Sequence, residues 1–162
     1  MLELRSFQNK ALVLKVSPNY DHKRLDPNKY EAVLDALCGE REYQKNAIRS
    51  TLFYFLGNNY KNLTELAEEN YHSNISLQTL YGTLDQFKKH LQIHNKLCCS
   101  LDLATGTGKS YVIYGIARIM LAEGVVDHVL VVCPSTTIED GLMEKFKQLS
   151  GDDALRNLLP DN

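Results

Sequence analysis

An apolar, strand-like stretch from Leu97 to Leu103 runs directly into the octet Leu103-Ala104-Thr105-Gly106-Thr107-Gly108-Lys109-Ser110, and a stretch with helical spacing, Tyr111 to Leu121, follows at once. This order constrains the fold more than any other part of the chain. Gly106 and Gly108 permit positive φ, so a short loop can turn sharply with its N–H groups pointing inward. The helix behind the loop adds the partial positive charge of its N-terminus. Extended segment, tight loop and helix together form a geometry that cradles phosphate oxygens. Lys109 is placed to reach β- and γ-phosphates, and the Ser110 hydroxyl to ligate Mg2+. Thr105 and Thr107 are expected to shape the loop and to offer backbone N–H groups to phosphate.

The rest of the composition is permissive. A chain of 162 residues with 44% hydrophobic residues can bury a core of its own. The net charge of -2 leaves no basic footprint for nucleic acid, yet a protein that grips phosphates locally need not be basic overall. No apolar run approaches the length of a membrane span, and the first residues, with Glu3 and Arg5, lack a signal-peptide core. A cytoplasmic location with no membrane partner is the default expectation. Cys38, Cys98, Cys99 and Cys133 form no C-x-x-C pair, and the five histidines fall at no metal-ligand spacing. Reduced packing cysteines and incidental histidines are expected.

Along the chain, Ala11 to Val16 reads as a short strand, Asn28 to Cys38 as a helix with Pro27 in its first turn, and Arg41 to Leu56 as a second helix. Asn58 to Asn74 turns polar and reads as a surface excursion, with a short helix possible around Leu63, Leu66 and Ala67. Ser76 to His90 regains helical spacing through Leu77, Leu80, Leu84 and Phe87. After the loop helix, His128 to Cys133 (H-V-L-V-V-C) is an unbroken apolar run of the kind buried in parallel sheets, and Ile138 to Leu149 reads as a helix. Strand, crossover helix and strand predict a right-handed parallel βαβ unit.

Three pieces carry a family resemblance: R-E-Y-Q-K-N-A-I at Arg41 to Ile48, S-L-D-L-A-T-G-T-G-K-S-Y-V-I-Y at Ser100 to Tyr114, and V-L-V-V-C-P-S-T-T-I-E-D-G at Val129 to Gly141. The loop has Leu103 where the full phosphate-loop motif has its first glycine. That variant resembles motif I of superfamily-two helicases. Together the pieces look like the amino-terminal motor half of the Res subunit of type III restriction enzymes, among DEAD/DEAH-like helicases. The resemblance implies an α/β fold: a partial RecA-like P-loop NTPase domain, a parallel sheet with flanking helices, preceded by a mainly helical region. It divides the chain into an accessory region 1–40, a Q-motif-like helix with helical insertion 41–95, and the first part of the motor domain, with motifs I and Ia, at 96–162.

The same resemblance implies that Gln44 reads adenine while a neighbour packs the face of the base; an amide is donor and acceptor at once. It implies ATP and Mg2+ as cofactors, Lys109 as the catalytic lysine of motif I, and Ser110 as the Mg2+ ligand. Motif Ia places Pro134, Ser135 and Thr136 against a nucleic-acid backbone, where hydroxyls and helix-start N–H groups suit phosphate. Double-stranded DNA and a modification (methyltransferase) subunit are the implied partners in a restriction-modification system. Asp102 belongs to the strand pattern rather than to the metal site.

Hydrolysis by such a motor also needs an apolar strand ending in Asp-Glu, to orient Mg2+ and activate water. No such motif is found, nor an arginine finger or nuclease motif. The expectation is an amino-terminal piece, truncated before Walker B, that binds Mg-ATP and hardly hydrolyses it. Two rivals remain at this level: a small P-loop phosphotransferase, disfavoured by Leu103 and the lack of an Arg-rich lid, and a non-catalytic nucleotide-dependent binding module.

Overall fold

The computed structural model describes residues 14–17, 21, 23–57, 60–91 and 93–159, and the regular elements among them are helical. In chain order they are α1 (Glu31–Cys38), entered through a 3-10 turn at Pro27–Tyr30; α2 (Glu42–Leu52), continued by a π-helical turn at Phe53–Gly57; α3 (Leu63–Ser73); α4 (Ile75–Tyr81); α5 (Leu84–Lys89); α6 (Lys109–Ala122); α7 (Thr136–Ser150); and α8 (Asp153–Leu158). Most starts are written locally. Side-chain oxygens of Asp26, Asn62, Asn74, Thr83, Ser135 and Asp152 accept from backbone N–H groups of the turns they open. Each satisfies donors that the first turn leaves without a helical carbonyl.

The expected parallel sheet does not form, and the α/β, partial RecA-like fold class is corrected accordingly: no strand occurs among the described residues. Segments 97–103 and 128–133 run as irregular chain, and Leu130 and Val132 stand 87% and 81% exposed. A continuous apolar run is the mark of a strand covered on both faces. A ladder, however, needs neighbours in register, and independent stability takes three or more strands or a helix packed on the face. Among the described residues neither run has a partner strand. Of the strand expected at 11–16, residues 11–13 lie outside the described residues, and 14–16 are irregular.

Two helical readings also change. The stretch 76–90 is not one helix but α4 and α5, parted at Gly82-Thr83, where Gly82 has φ 70 and the Thr83 hydroxyl caps Gln86. The polar excursion at 58–74 contains the whole of α3, started by Asn62.

The described chain falls into two units. The first draws on Met1–Asp21 and Phe53–Ser100. In it α3, α4 and α5 pack together around Ala67, Tyr71, Leu77 and Phe87, with Leu14, Tyr81, Leu84 and Leu91 against them. Buried Asn70 pins the irregular backbone at Lys15 to α3: its Oδ1 accepts from the Lys15 N–H at 2.7 Å, and its Nδ2 donates to the carbonyls of Lys15 and Leu66, both at 2.9 Å.

The second unit, His22–Leu52 with Leu101–Asn162, holds α1, α2, α6, α7 and α8. Its core includes Tyr30, Val33, Leu34, Leu37, Ile48, Val112 and Ile119. Arg49 of α2 makes a two-pronged pair with Glu31 of α1, Nε to Oε1 at 2.9 Å and Nη2 to Oε2 at 2.6 Å, and reaches Glu42 with its remaining arm. That guanidinium holds the Glu31 carboxyl below its ordinary range. The α1–α2 pair is thereby fixed, and α2 lies along α6.

Candidate functional site

The octet read from the sequence folds as a loop that opens α6. Ala104 to Gly108 carry the turn, Gly106 and Gly108 have φ 80 and 76, and α6 begins at Lys109. No side chain caps α6. The Tyr111 N–H bonds the Gly108 carbonyl at 3.0 Å, while the N–H groups of Lys109 and Ser110, at the very start of the helix, are placed to serve an anion. Thr105 and Gly106 are exposed; Thr107, Gly108 and Ser110 are half-buried.

Two carbonyls organise the loop. The Ala104 carbonyl accepts from the Thr107 hydroxyl at 2.6 Å and from the Lys109 ammonium at 3.2 Å. The Thr107 carbonyl accepts from Gln44 Nε2 at 2.6 Å and from the Tyr43 hydroxyl at 3.1 Å. Lys109 is exposed, and its recorded partner is a neutral carbonyl rather than a carboxylate. An ammonium held only by a neutral acceptor is ready to exchange it for an anionic oxygen, since charge-assisted bonds are about twice as strong. The donor set therefore fits a nucleotide's phosphates.

Gln44 is wholly buried, with its amide turned to the loop. The orientation follows from chemistry: facing the Thr107 carbonyl at 2.6 Å, only the amide nitrogen can be presented. Its Oε1 is left with no partner. Gln44 also lies close under Gly108, where a Cβ would sit 2.6 Å from Nε2.

The far end of α6 is anchored as well. Glu123 caps it, accepting from the Tyr30 hydroxyl and, at 3.0 Å, from the Lys29 ammonium. Burial pushes the Glu123 carboxyl up, but its bonds to Tyr30 and Lys29 outweigh that and hold it below its usual range. Burial first, and the carboxylate beside it second, raise the Tyr30 phenol from 10.0 to about 12. At the loop end, the Lys145 ammonium of α7 sits 5.4 Å over the ring of Tyr111.

The family model described as type III restriction enzyme, res subunit, matches residues 37–159. The chain belongs to that family. No curated protein and no solved structure matches it. The res-subunit family is helicase-like and ATP-dependent in type III restriction, and the matched span takes in Gln44, the loop and residues 134–136.

Within this res-subunit chain the structure brings Gln44 together with Thr107 and Gly108, although 63 residues separate Gln44 from Thr107 in sequence. It does not bring Pro134, Ser135 and Thr136 into the recorded contacts of the loop. All three are exposed at the start of α7, where the Ser135 hydroxyl accepts from the Ile138 N–H at 3.4 Å. Sequence reasoning missed the Tyr43 hydroxyl as a partner of the loop. Tyr43 stands beside Gln44 in the motif, but a tyrosine there gives no local sign of whether its ring or its hydroxyl is used.

Proposed function

We propose that the 104–110 loop binds the phosphates of Mg-ATP, and that this chain supplies the nucleotide-binding portion of an ATP-dependent DNA translocase or helicase of a type III-like restriction system. The observation that supports this best is the loop itself: two positive-φ glycines lead into α6, and an exposed lysine has only a neutral carbonyl to hold. Lys109 takes the β- and γ-phosphates, the N–H groups around Gly106 and Gly108 take phosphate oxygens, and the Ser110 hydroxyl takes Mg2+. The bound ion neutralises charge on the phosphate oxygens. The same reading expects little turnover by the 162 residues alone, because no Asp-Glu pair suited to activating water is recognised in them.

Double-stranded DNA is the proposed polymer, touching the exposed start of α7 at Pro134, Ser135 and Thr136, and a modification subunit is the proposed partner. Calorimetric titration with Mg-ATP tests the reading. Binding that Lys109→Ala weakens tenfold or more supports it; no binding, or binding indifferent to Lys109→Ala, overturns it. Brisk DNA-stimulated ATPase activity would overturn the expectation of slow turnover.

A further inference from the structure

We propose that Lys145 of α7 is a second cation of the phosphate site, acting through space on the triphosphate from behind the ring of Tyr111. The inference rests on the proposed ATP site and deepens it. Tyr111 belongs to the first turn of α6, one residue after Ser110, and its ring lies against the end of the loop: a Cβ on Gly108 would meet Tyr111 Cδ2 at 3.2 Å. The Lys145 ammonium sits over that same ring, 5.4 Å from its centre. A single aromatic ring therefore separates the charge from the loop's last glycine, a gap of at most about 10 Å, which is the screening length at 0.1 M salt. Phosphates gathered at the loop fall inside its field.

Helix packing brings the lysine there. α6 and α7 run side by side in the same direction, since Tyr111 meets Lys145, and Tyr114, one turn on, meets the Phe146 ring at 5.4 Å and the Ser150 hydroxyl at 3.3 Å. On α7 the residues Leu142, Phe146 and Leu149 form the inward stripe, buried or half-buried, and half-buried Lys145 is its charged member. Its recorded partners are both neutral, the Tyr111 ring and Gln148 Oε1 at 2.7 Å. No acid competes for it along its own stripe, where the positions three and four away hold Gly141, Leu142, Gln148 and Leu149. Nor does α6 supply one, for Lys109–Ala122 contains no aspartate or glutamate. An ammonium with only neutral partners keeps its full attraction for an incoming anion.

The test titrates the wild type, Lys145→Met and Lys145→Arg with Mg-tripolyphosphate, Mg-ATP and Mg-ADP by calorimetry, in low salt and again in about 0.5 M salt. Lys145→Met keeps an unbranched side chain beside Tyr111 and gives up one cation–π contact, so Tm should stay within about 4 °C of wild type. In low salt it should weaken the ligands in the order of their net charge, tripolyphosphate most, by about three- to tenfold, and ADP least. High salt should erase most of that loss. Lys145→Gln, a second neutral variant, should behave alike, and Lys145→Arg, which keeps the charge, should bind like wild type. Neutral variants that bind Mg-tripolyphosphate like wild type in low salt would overturn the inference while leaving the ATP site standing. So would an equal loss for all three ligands that salt does not change, the mark of a packing role. A wild type that binds none of the three is a different result, which removes the ATP site and the inference with it.

Discussion

Gly115 of α6 lies so close to Ile48 of α2 that a methyl group on it would sit 2.9 Å from the Ile48 Cδ1, and 2.8 Å from the Leu37 Cδ2 on its other side. Glycine inside a helix ordinarily costs about 1 kcal/mol against alanine. Here the absent side chain is what lets α6 approach α1 and α2, and with them Gln44. Gly115→Ala should therefore destabilise, by about 1 kcal/mol net once overpacking of about 1–3 kcal/mol is set against the gain in propensity. Gly115→Val should be worse. Urea denaturation checks this, and a stabilised alanine variant would show that the Leu37 and Ile48 methyls yield freely.

Gly106 and Gly108 share the left-handed conformation but not their surroundings. A Cβ at Gly106 meets nothing within 4 Å, whereas at Gly108 it meets Gln44 Nε2 at 2.6 Å and Tyr111 Cδ2 at 3.2 Å. Gly106→Ala should cost only the backbone strain, about 1–2 kcal/mol. Gly108→Ala should cost more, because Gln44 must leave Thr107 to make room. Equal losses in denaturant would mean that Gln44 does not press on Gly108.

The Tyr30–Glu123 bond makes stability depend on pH at both ends of the scale. The folded Tyr30 phenol is raised from 10.0 to about 12, so its contribution is complete below pH 10 and fades as the pH climbs through about 12. The folded Glu123 carboxyl is depressed below 4.5, so its contribution is present above pH 4.5 and fades as the pH falls through the folded value. Tyr30→Phe should lower stability by about 1 kcal/mol at pH 7. The gap between wild type and variant should narrow from pH 10 upward in guanidinium unfolding. A gap constant from pH 7 to 12 would count against the bond.

Asn70 does for a stretch of irregular backbone what a neighbouring strand would do, pairing both the N–H and the carbonyl of Lys15. Asn70→Leu keeps the volume and removes the pairing. The expected cost is about 1–3 kcal/mol. Hydrogen exchange at the Lys15 amide, which should accelerate, is the direct readout, and unchanged exchange there would refute the role.

Local signals proved readable where the chemistry is local. The loop from Leu103 to Ser110, the helix behind it, the helix after Ser135, and the Pro27 entry to α1 all depend on residues within a turn of one another: glycines, caps and a 3.6-residue period. The same periodicity misled across Gly82-Thr83, because Leu77, Leu80, Leu84 and Phe87 keep helical spacing over a break that Gly82 and the Thr83 cap impose. It misled again at 97–103 and 128–133. Apolar character there says that a residue would gain by burial, and says nothing about whether a partner strand is at hand.

By itself, then, the sequence determined the family, the positions of the loop glycines and lysine, and most helix starts, since each of these is a matter of residue type at short spacing. Only the tertiary structure decided that Gln44 and Tyr43 meet the carbonyl of Thr107, that Gly115 is a contact rather than a flaw in α6, and that the two apolar runs stay unpaired. These depend on which surfaces approach across 60 or more residues of chain, as the separations of 63 and 64 positions between Thr107 and its two donors show. No local pattern encodes such an approach, because it is settled by packing, through the space left at Gly115 and the ion pair that sets α2 against α1.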